Sequence, residues 1–170
     1  YEYGEGAEGK CIERNMMKPS WDERFLALAR HVAHWSKDPS TQVGAVIVNP
    51  INQVIGVGYN GFPRGVDDTK ERLHHKPSKY AMIVHAEQNA ILNANRSVEN
   101  CTIYVWPQFY DLEPPTCNEC AKSIIQAGIT RVVGNVTGTR GPLNPDEEWA
   151  DRVIWSSIMY KEAGMVVDYI

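Results

Sequence analysis

Two short segments of this 170-residue chain hold residue types that together could do chemistry: His85-Ala86-Glu87 and Cys117-Asn118-Glu119-Cys120. Each opens a stretch with helical spacing. Cysteines three apart at a helix start can aim both sulfurs at one point, as the paired ligands of a zinc site do. The exposed amides at that helix start also favour thiolate over thiol. One imidazole and two thiolates make three protein ligands and leave the fourth position of tetrahedral Zn²⁺ open, the mark of a catalytic site. Two thiolates cancel the charge of the ion, yet such a metal still acidifies water. Glu87, two residues after the histidine, would reach that water without binding the metal and could relay its proton if the carboxyl were tuned toward neutral pH. A CxxC alone could equally be a redox pair, a structural zinc knuckle or an accident. An HxE alone says less. Their conjunction, one βα-sized unit apart, points to a single zinc ion held by His85, Cys117 and Cys120.

Composition narrows the setting. Seventeen basic and 21 acidic side chains leave a net charge of −4, with 43% hydrophobic and 22% charged residues, ordinary values for one compact domain. No run approaches the ~18 apolar residues of a membrane span. The first ten residues carry Glu and Gly where a secretory signal needs basic and then apolar residues, so a cytoplasmic protein is expected. A pI near 5.7 argues against a grip on long nucleic acid. Residues 1–18 lack an apolar period and are expected to be a flexible arm carrying an incidental Cys11, with a single domain over 19–170. Cys101 is expected in the core.

The elements that must position the chemistry can be read along the chain. Ser20-Trp21-Asp22-Glu23 is a capping box, and apolar spacing continues it as a helix to about Ser36. Val43–Val48 and Val54–Gly58 read as an antiparallel hairpin. Residues 61–80 are polar, without a convincing period, and read as a long functional loop, a lid or an effector loop, or alternatively as a surface insertion with a short helical turn. Helices are expected over 85–95, over 117–127 with Gly128 closing it, and over 146–163; strands over 102–106, 129–134 and 165–169. That order implies an α/β fold, three layers deep, with a mixed five-stranded sheet covered by helices on both faces. His31 and His34 read as packing or surface residues, and His74-His75 as solvated loop, with a second metal or a phosphate as the alternative.

Four runs carry a resemblance: SKDPSTQVGA from Ser36, GYNGFP from Gly58, HAEQNA from His85 and CNECAK from Cys117. From Trp21 to Gly134 the chain resembles the cytidine deaminase superfamily, and within it the deoxycytidylate (dCMP) deaminases. The resemblance implies a cytidine deaminase-type fold, His85, Cys117 and Cys120 as zinc ligands, and Glu87 as proton shuttle. It implies Asn60 at the nucleoside, Lys37, Thr41 and Gln42 near the sugar or phosphate, and Ala86 in the substrate site. It places Tyr59, Gly61 and Arg64 where related enzymes bind a regulatory nucleotide, dCTP or dTTP, with Mg²⁺ beside the triphosphate. The implied reaction converts dCMP, and dCTP as a further candidate, to the uracil nucleotide and ammonia, supplying dUMP for thymidylate synthesis. The implied assembly is a homo-oligomer, a hexamer. Rival readings are a deaminase of tRNA or single-stranded DNA, a non-catalytic zinc module, and a relative acting on another base. Two departures stand out. Thr116 occupies the position where the family has Pro, and the stretch from Trp106 to Thr116 is long and aromatic, expected to alter either the pocket wall or an oligomer contact.

Overall fold

The computed structural model describes residues 18–144, 147 and 149–170. The expected arm over 1–18, its Cys11, and a start of the last helix at Asp146 lie wholly or largely outside these residues. Helix α1 (Trp21–Ala33) begins at the expected capping box: Ser20 accepts from the Glu23 amide, and the Glu23 carboxylate accepts from the Ser20 amide. It stops three residues short of Ser36 because Trp35 and Ser36 donate to carbonyls three residues back, tightening the last turn. Strands β1 (Gly44–Val48) and β2 (Val54–Tyr59) form the antiparallel hairpin.

The stretch read as a loop contains two short helices, α2 (Lys70–His74) and α3 (Lys76–Met82). They escape a periodicity reading because local caps start them. Thr69 accepts from the Arg72 amide and His75 from the Ser78 amide, while few of their side chains are buried. Then come α4 (Ala86–Leu92), β3 (Thr102–Trp106), α5 (Asn118–Gln126), β4 (Arg131–Gly134), α6 (Ala150–Glu162) and β5 (Val166–Tyr169). The sheet order is β2-β1-β3-β4-β5. β1 runs antiparallel to both neighbours, whereas β3, β4 and β5 are mutually parallel, so the mixed five-stranded α/β sheet is as expected.

Side chains alternate across the sheet as the period of two requires. Val46, Val48, Tyr104 and Val133 pack with Phe25, Leu26, Ala29 and Val32 of α1. Ala45, Ile47, Ile103, Val105 and Val132 face the opposite core, with Ala86 and Ala90 of α4, Ala121 and Ile124 of α5, and Tyr160 of α6. Cys101 is buried in that second core. On the α1 side, Asp22 receives two hydrogen bonds from Arg131 of β4, 2.9 and 2.7 Å, and one from Tyr104, 2.6 Å. The Arg131 bonds, outweighing burial, hold the Asp22 carboxyl below its ordinary range.

The helix that carries His85 and Glu87 lies unusually close to the sheet. A Cβ on Gly58 would overlap the backbone of Ala86 and Ala90, so β2 and α4 touch main chain to main chain at this point. Gly58→Ala should therefore destabilise the fold by about 2–3 kcal/mol, since backbone cannot yield as a side-chain end can. Denaturant midpoints of the two proteins check this, and an unchanged midpoint would refute the packing argument. A second expectation concerns acid. A carboxyl with a lowered folded pKa contributes stability above its unfolded value and loses it as pH falls through the folded one. Asp22→Asn should thus cost about 1 kcal/mol at neutral pH and nothing in strong acid, measured as unfolding free energy against pH.

Candidate active site

Both chemical motifs sit at helix starts, and each places its first residue just outside the helix. His85 is the N-cap of α4 and Cys117 the N-cap of α5; both have extended backbone and neither side chain caps its helix. Freed from capping, the two side chains turn toward each other. His85 Nδ1 lies 3.4 Å from Cys117 Sγ and 3.3 Å from Cys120 Sγ. All three donor atoms lie within 4.8 Å of one another. With Zn–S near 2.3 Å and Zn–N near 2.0 Å, a tetrahedral ion needs sulfur–nitrogen edges of roughly 3.5 Å. The arrangement fits that ion, and three donors would leave a fourth position open.

The protonation pattern of the three groups agrees. The Cys117 thiol is pulled down to about 4, first by the hydrogen bond from Cys120 and then by His85. Cys120 is pushed up by that same bond and by burial, and His85 up by its contact with Cys117. A divalent cation entering here displaces protons from Cys120 and His85, so binding and proton release are coupled. Glu87 stands on the second residue of α4, 4% exposed, and burial pushes its carboxyl up to about 7. That is the tuning toward neutrality a proton relay requires.

A cavity opens beside these groups. His85, Ala86, Glu87 and Cys117 are part of its lining, together with Thr41, Val43 and Asn60. Asn60 is buried and braced on every side: its Oδ1 accepts from the Val43 amide, 2.8 Å, and its Nδ2 donates to the Thr41 carbonyl, 2.9 Å, and weakly to Asp38. Behind it lies a buried ion pair of Lys79 and Asp38, 3.1 Å apart with side chains 6% and 3% exposed. Burial alone would raise the Asp38 carboxyl, but hydrogen bonds from Ser40, Thr41 and Lys79 outweigh it and hold it below its usual range.

Other sequence candidates fall elsewhere. Lys37 is 71% exposed and paired to Asp68 at 2.6 Å, outside the cavity lining. Gln42 donates to the Ser36 carbonyl and is also outside it. Tyr59, Gly61 and Arg64 lie along the outer side of α4: the Tyr59 carbonyl accepts from Asn89, Gly61 bridges Val84, and Arg64 donates to Asn93. His31 and His34 are exposed, as are His74 and His75. Sequence reading missed Asp38 and Lys79 as cavity residues, along with Tyr80, Ile83, Arg140, Trp149 and Val153. The SKDP run held a signal for Asp38. Nothing marked Lys79, which joins from 39 residues beyond Ser40.

The two departures acquire structural content. Thr116 is buried, and its hydroxyl lies 2.8 Å from Tyr160 Oη and 3.1 Å from Ser156 Oγ. A hydroxyl chain thus ties α6 to the residue preceding Cys117. The 107–115 stretch forms pocket wall, where Phe109 and Tyr110 line the cavity.

Comparison with known proteins follows the same lines. The family profile described as "Cytidine and deoxycytidylate deaminase zinc-binding region" matches residues 19–135. An uncharacterized deaminase in the luxG 3′ region of Aliivibrio fischeri is 38% identical over 159 residues, 91% of this chain and 96% of that one. The deoxycytidylate deaminase of Mus musculus is 48% identical over 119 residues, 66% of this chain and 63% of that enzyme; the Homo sapiens enzyme is 47% identical over the same span. The chain therefore matches under two thirds of the length of these mammalian relatives. Among solved structures, dCMP deaminase from the cyanophage S-TIM5, in complex with dCMP and dUMP, superposes with a TM-score of 0.65. It is 21% identical and covers 91% of this chain and 99% of that one, a likeness of fold.

The donor geometry predicts about one zinc per chain. Replacing His85, Cys117 or Cys120 with Ala should lower bound zinc at least tenfold, and chelation should lower the thermal midpoint. Elemental analysis and thermal unfolding decide this, and full zinc content in any of the three variants would remove that residue from the ligand set.

Proposed function

Because this chain belongs to the cytidine and deoxycytidylate deaminase zinc-binding family, we propose that it deaminates deoxycytidine nucleotides by hydrolysis, converting dCMP and water to dUMP and ammonia. The observation that carries this reading is the buried Glu87 carboxyl beside the converged His85, Cys117 and Cys120 donors, in the lining of a cavity. Zinc held by those three donors supplies Lewis acidity that lowers the pKa of water.

This chain's own residues do the rest. Glu87 takes a proton from the attacking water and delivers it to N3 of the cytosine ring as C4 becomes tetrahedral. It then takes the proton of the new C4 hydroxyl and passes it to the amino group, which leaves as ammonia while the C4 carbonyl forms. A carboxyl whose pKa lies near neutrality can both accept and donate in this sequence. Asn60, held rigidly by Val43, Thr41 and Asp38, shapes the wall against which the nucleoside rests, and Ala86 keeps that wall thin beside the ligand. Such fixed orientation removes much of the entropic barrier to attack. Thr41 lies near the sugar in this reading.

The proposal extends to dCTP as a second substrate and to dUMP production for thymidylate synthesis. Lys37 and Gln42, outside the cavity lining, contribute only through the loop between α1 and β1. Tyr59, Gly61 and Arg64 form the site of a dCTP or dTTP effector with Mg²⁺. A homo-oligomer, taken as a hexamer, is proposed on the family resemblance. Among the described residues no helix is long and apolar enough to cross a membrane. A cytoplasmic enzyme is proposed.

Ammonia release from dCMP, dCTP, deoxycytidine and a cytosine-containing oligonucleotide tests the reading. dCMP should be the better substrate. Glu87→Ala should lower turnover by at least roughly 10²–10⁴-fold with zinc content retained. Substantial activity in that variant would refute the role of Glu87, and release from the oligonucleotide alone would refute the substrate class.

A further inference from the structure

Arg140 lines the cavity but has no part in the steps above. Arg140 lies beyond the 19–135 span that matches the family profile, in a segment fastened to the long stretch after β3. The Arg140 amide donates to the Phe109 carbonyl and the Thr139 amide to the Gln108 carbonyl, both at 2.9 Å. Gly138 donates to Asp111 at 2.6 Å and lies so close that a Cβ there would come within 2.5 Å of the Phe109 and Tyr110 backbone. A segment beyond the matched span and the long stretch within it therefore form one structural unit. Its product is a guanidinium placed 5.8 Å from the centroids of both the Phe109 and Tyr110 rings, at the cavity lining.

A nucleotide brings a phosphate of charge near −2 into this cavity, and that phosphate needs a cation. Lys79 is enclosed and already matched by Asp38. Arg140 is 41% exposed, and its polar contacts run through Nη1 alone, at 3.3 Å to Glu147 and 3.4 Å to Tyr110 Oη. Its Nε and Nη2 edge has no partner among the described residues. That edge is the two-donor fork that pairs side by side with phosphate oxygens. Glu147 meanwhile accepts a 2.7 Å hydrogen bond from Tyr110 Oη, so its carboxylate stays satisfied if Arg140 turns away.

We propose that Arg140 binds the 5′-phosphate of the nucleotide and is the residue that makes this cavity prefer a nucleotide to a nucleoside. The inference rests on the deoxycytidine nucleotide reading. In it, the stretch from Trp106 to Thr116 serves as the shelf that holds the guanidinium at the mouth, with the ring faces of Phe109 and Tyr110 fixing its plane.

Binding of the product pair, dUMP and deoxyuridine, tests this without turnover. Calorimetric titrations would use the zinc-loaded wild type, Arg140→Gln and Arg140→Lys, after thermal midpoints and zinc contents confirm that each is folded. The wild type should bind dUMP roughly 10–100-fold more tightly than deoxyuridine. Arg140→Gln should bring that ratio to about one, and Arg140→Lys should fall between, keeping the charge without the fork. A wild type that does not discriminate, or an Arg140→Gln ratio within about threefold of wild type, overturns the proposal. Ammonia release from dCMP is scored separately. If it is absent while Arg140→Gln still abolishes the dUMP preference, the deamination reading fails and the phosphate assignment stands.

Discussion

Two helix starts, at His85 and Cys117, approach until one imidazole nitrogen lies 3.3 and 3.4 Å from two sulfurs, and much of the fold serves that approach. The histidine follows the hairpin half of the sheet and the cysteines follow β3, so the two sources meet only because β1 pairs with both β2 and β3. Side-chain-free contact at Gly58 lowers α4 onto the sheet, and small residues at Ala86, Ala90 and Ala121 keep that layer thin. A bulkier interface would lift the imidazole away from the sulfurs by more than a coordination bond can stretch.

The same closeness explains the unusual electrostatics at one end of the cavity. Thiol, imidazole and carboxyl groups are crowded where water cannot screen them, so each group's proton affinity is set mainly by its neighbours. Further along the cavity the charges are balanced pairwise: Lys79 by Asp38 in the interior, Arg140 by Glu147 at the edge. An acidic chain can therefore handle a polyanionic ligand without a broad basic face. Local placement matters here and the total of −4 does not.

Much of this was legible in the sequence, for identifiable reasons. The capping box at Ser20, the hairpin, β3 and the closing Gly128 obey short-range rules, and each appears where those rules put it. His85, Cys117 and Cys120 converge because a metal-binding pattern restricts residue type as well as spacing, and Glu87 is carried with them as the second residue of the helix that His85 caps. What escaped depends on distant partners. Helices α2 and α3 rest on single caps and on a lysine whose burial requires Asp38, 41 positions earlier. Arg140 reaches the cavity only through backbone bonds to the 108–111 stretch, and such bonds leave no trace in side-chain pattern. Lys37 and Gln42 show the converse. Adjacency in sequence to Asp38 and Thr41 did not carry them into the cavity, because the turn after α1 points successive side chains in different directions.

The separation of 32 residues between His85 and Cys117 also has a temporal side. During synthesis the hairpin and α4 leave the ribosome first, carrying an imidazole and a carboxyl with no metal to serve. The thiolates follow only after β3 has added beside β1. Zinc bound at that moment would join an early half of the molecule to a late one and would stabilise their docking. The ion would then act as a checkpoint for completed sheet assembly as well as a reagent.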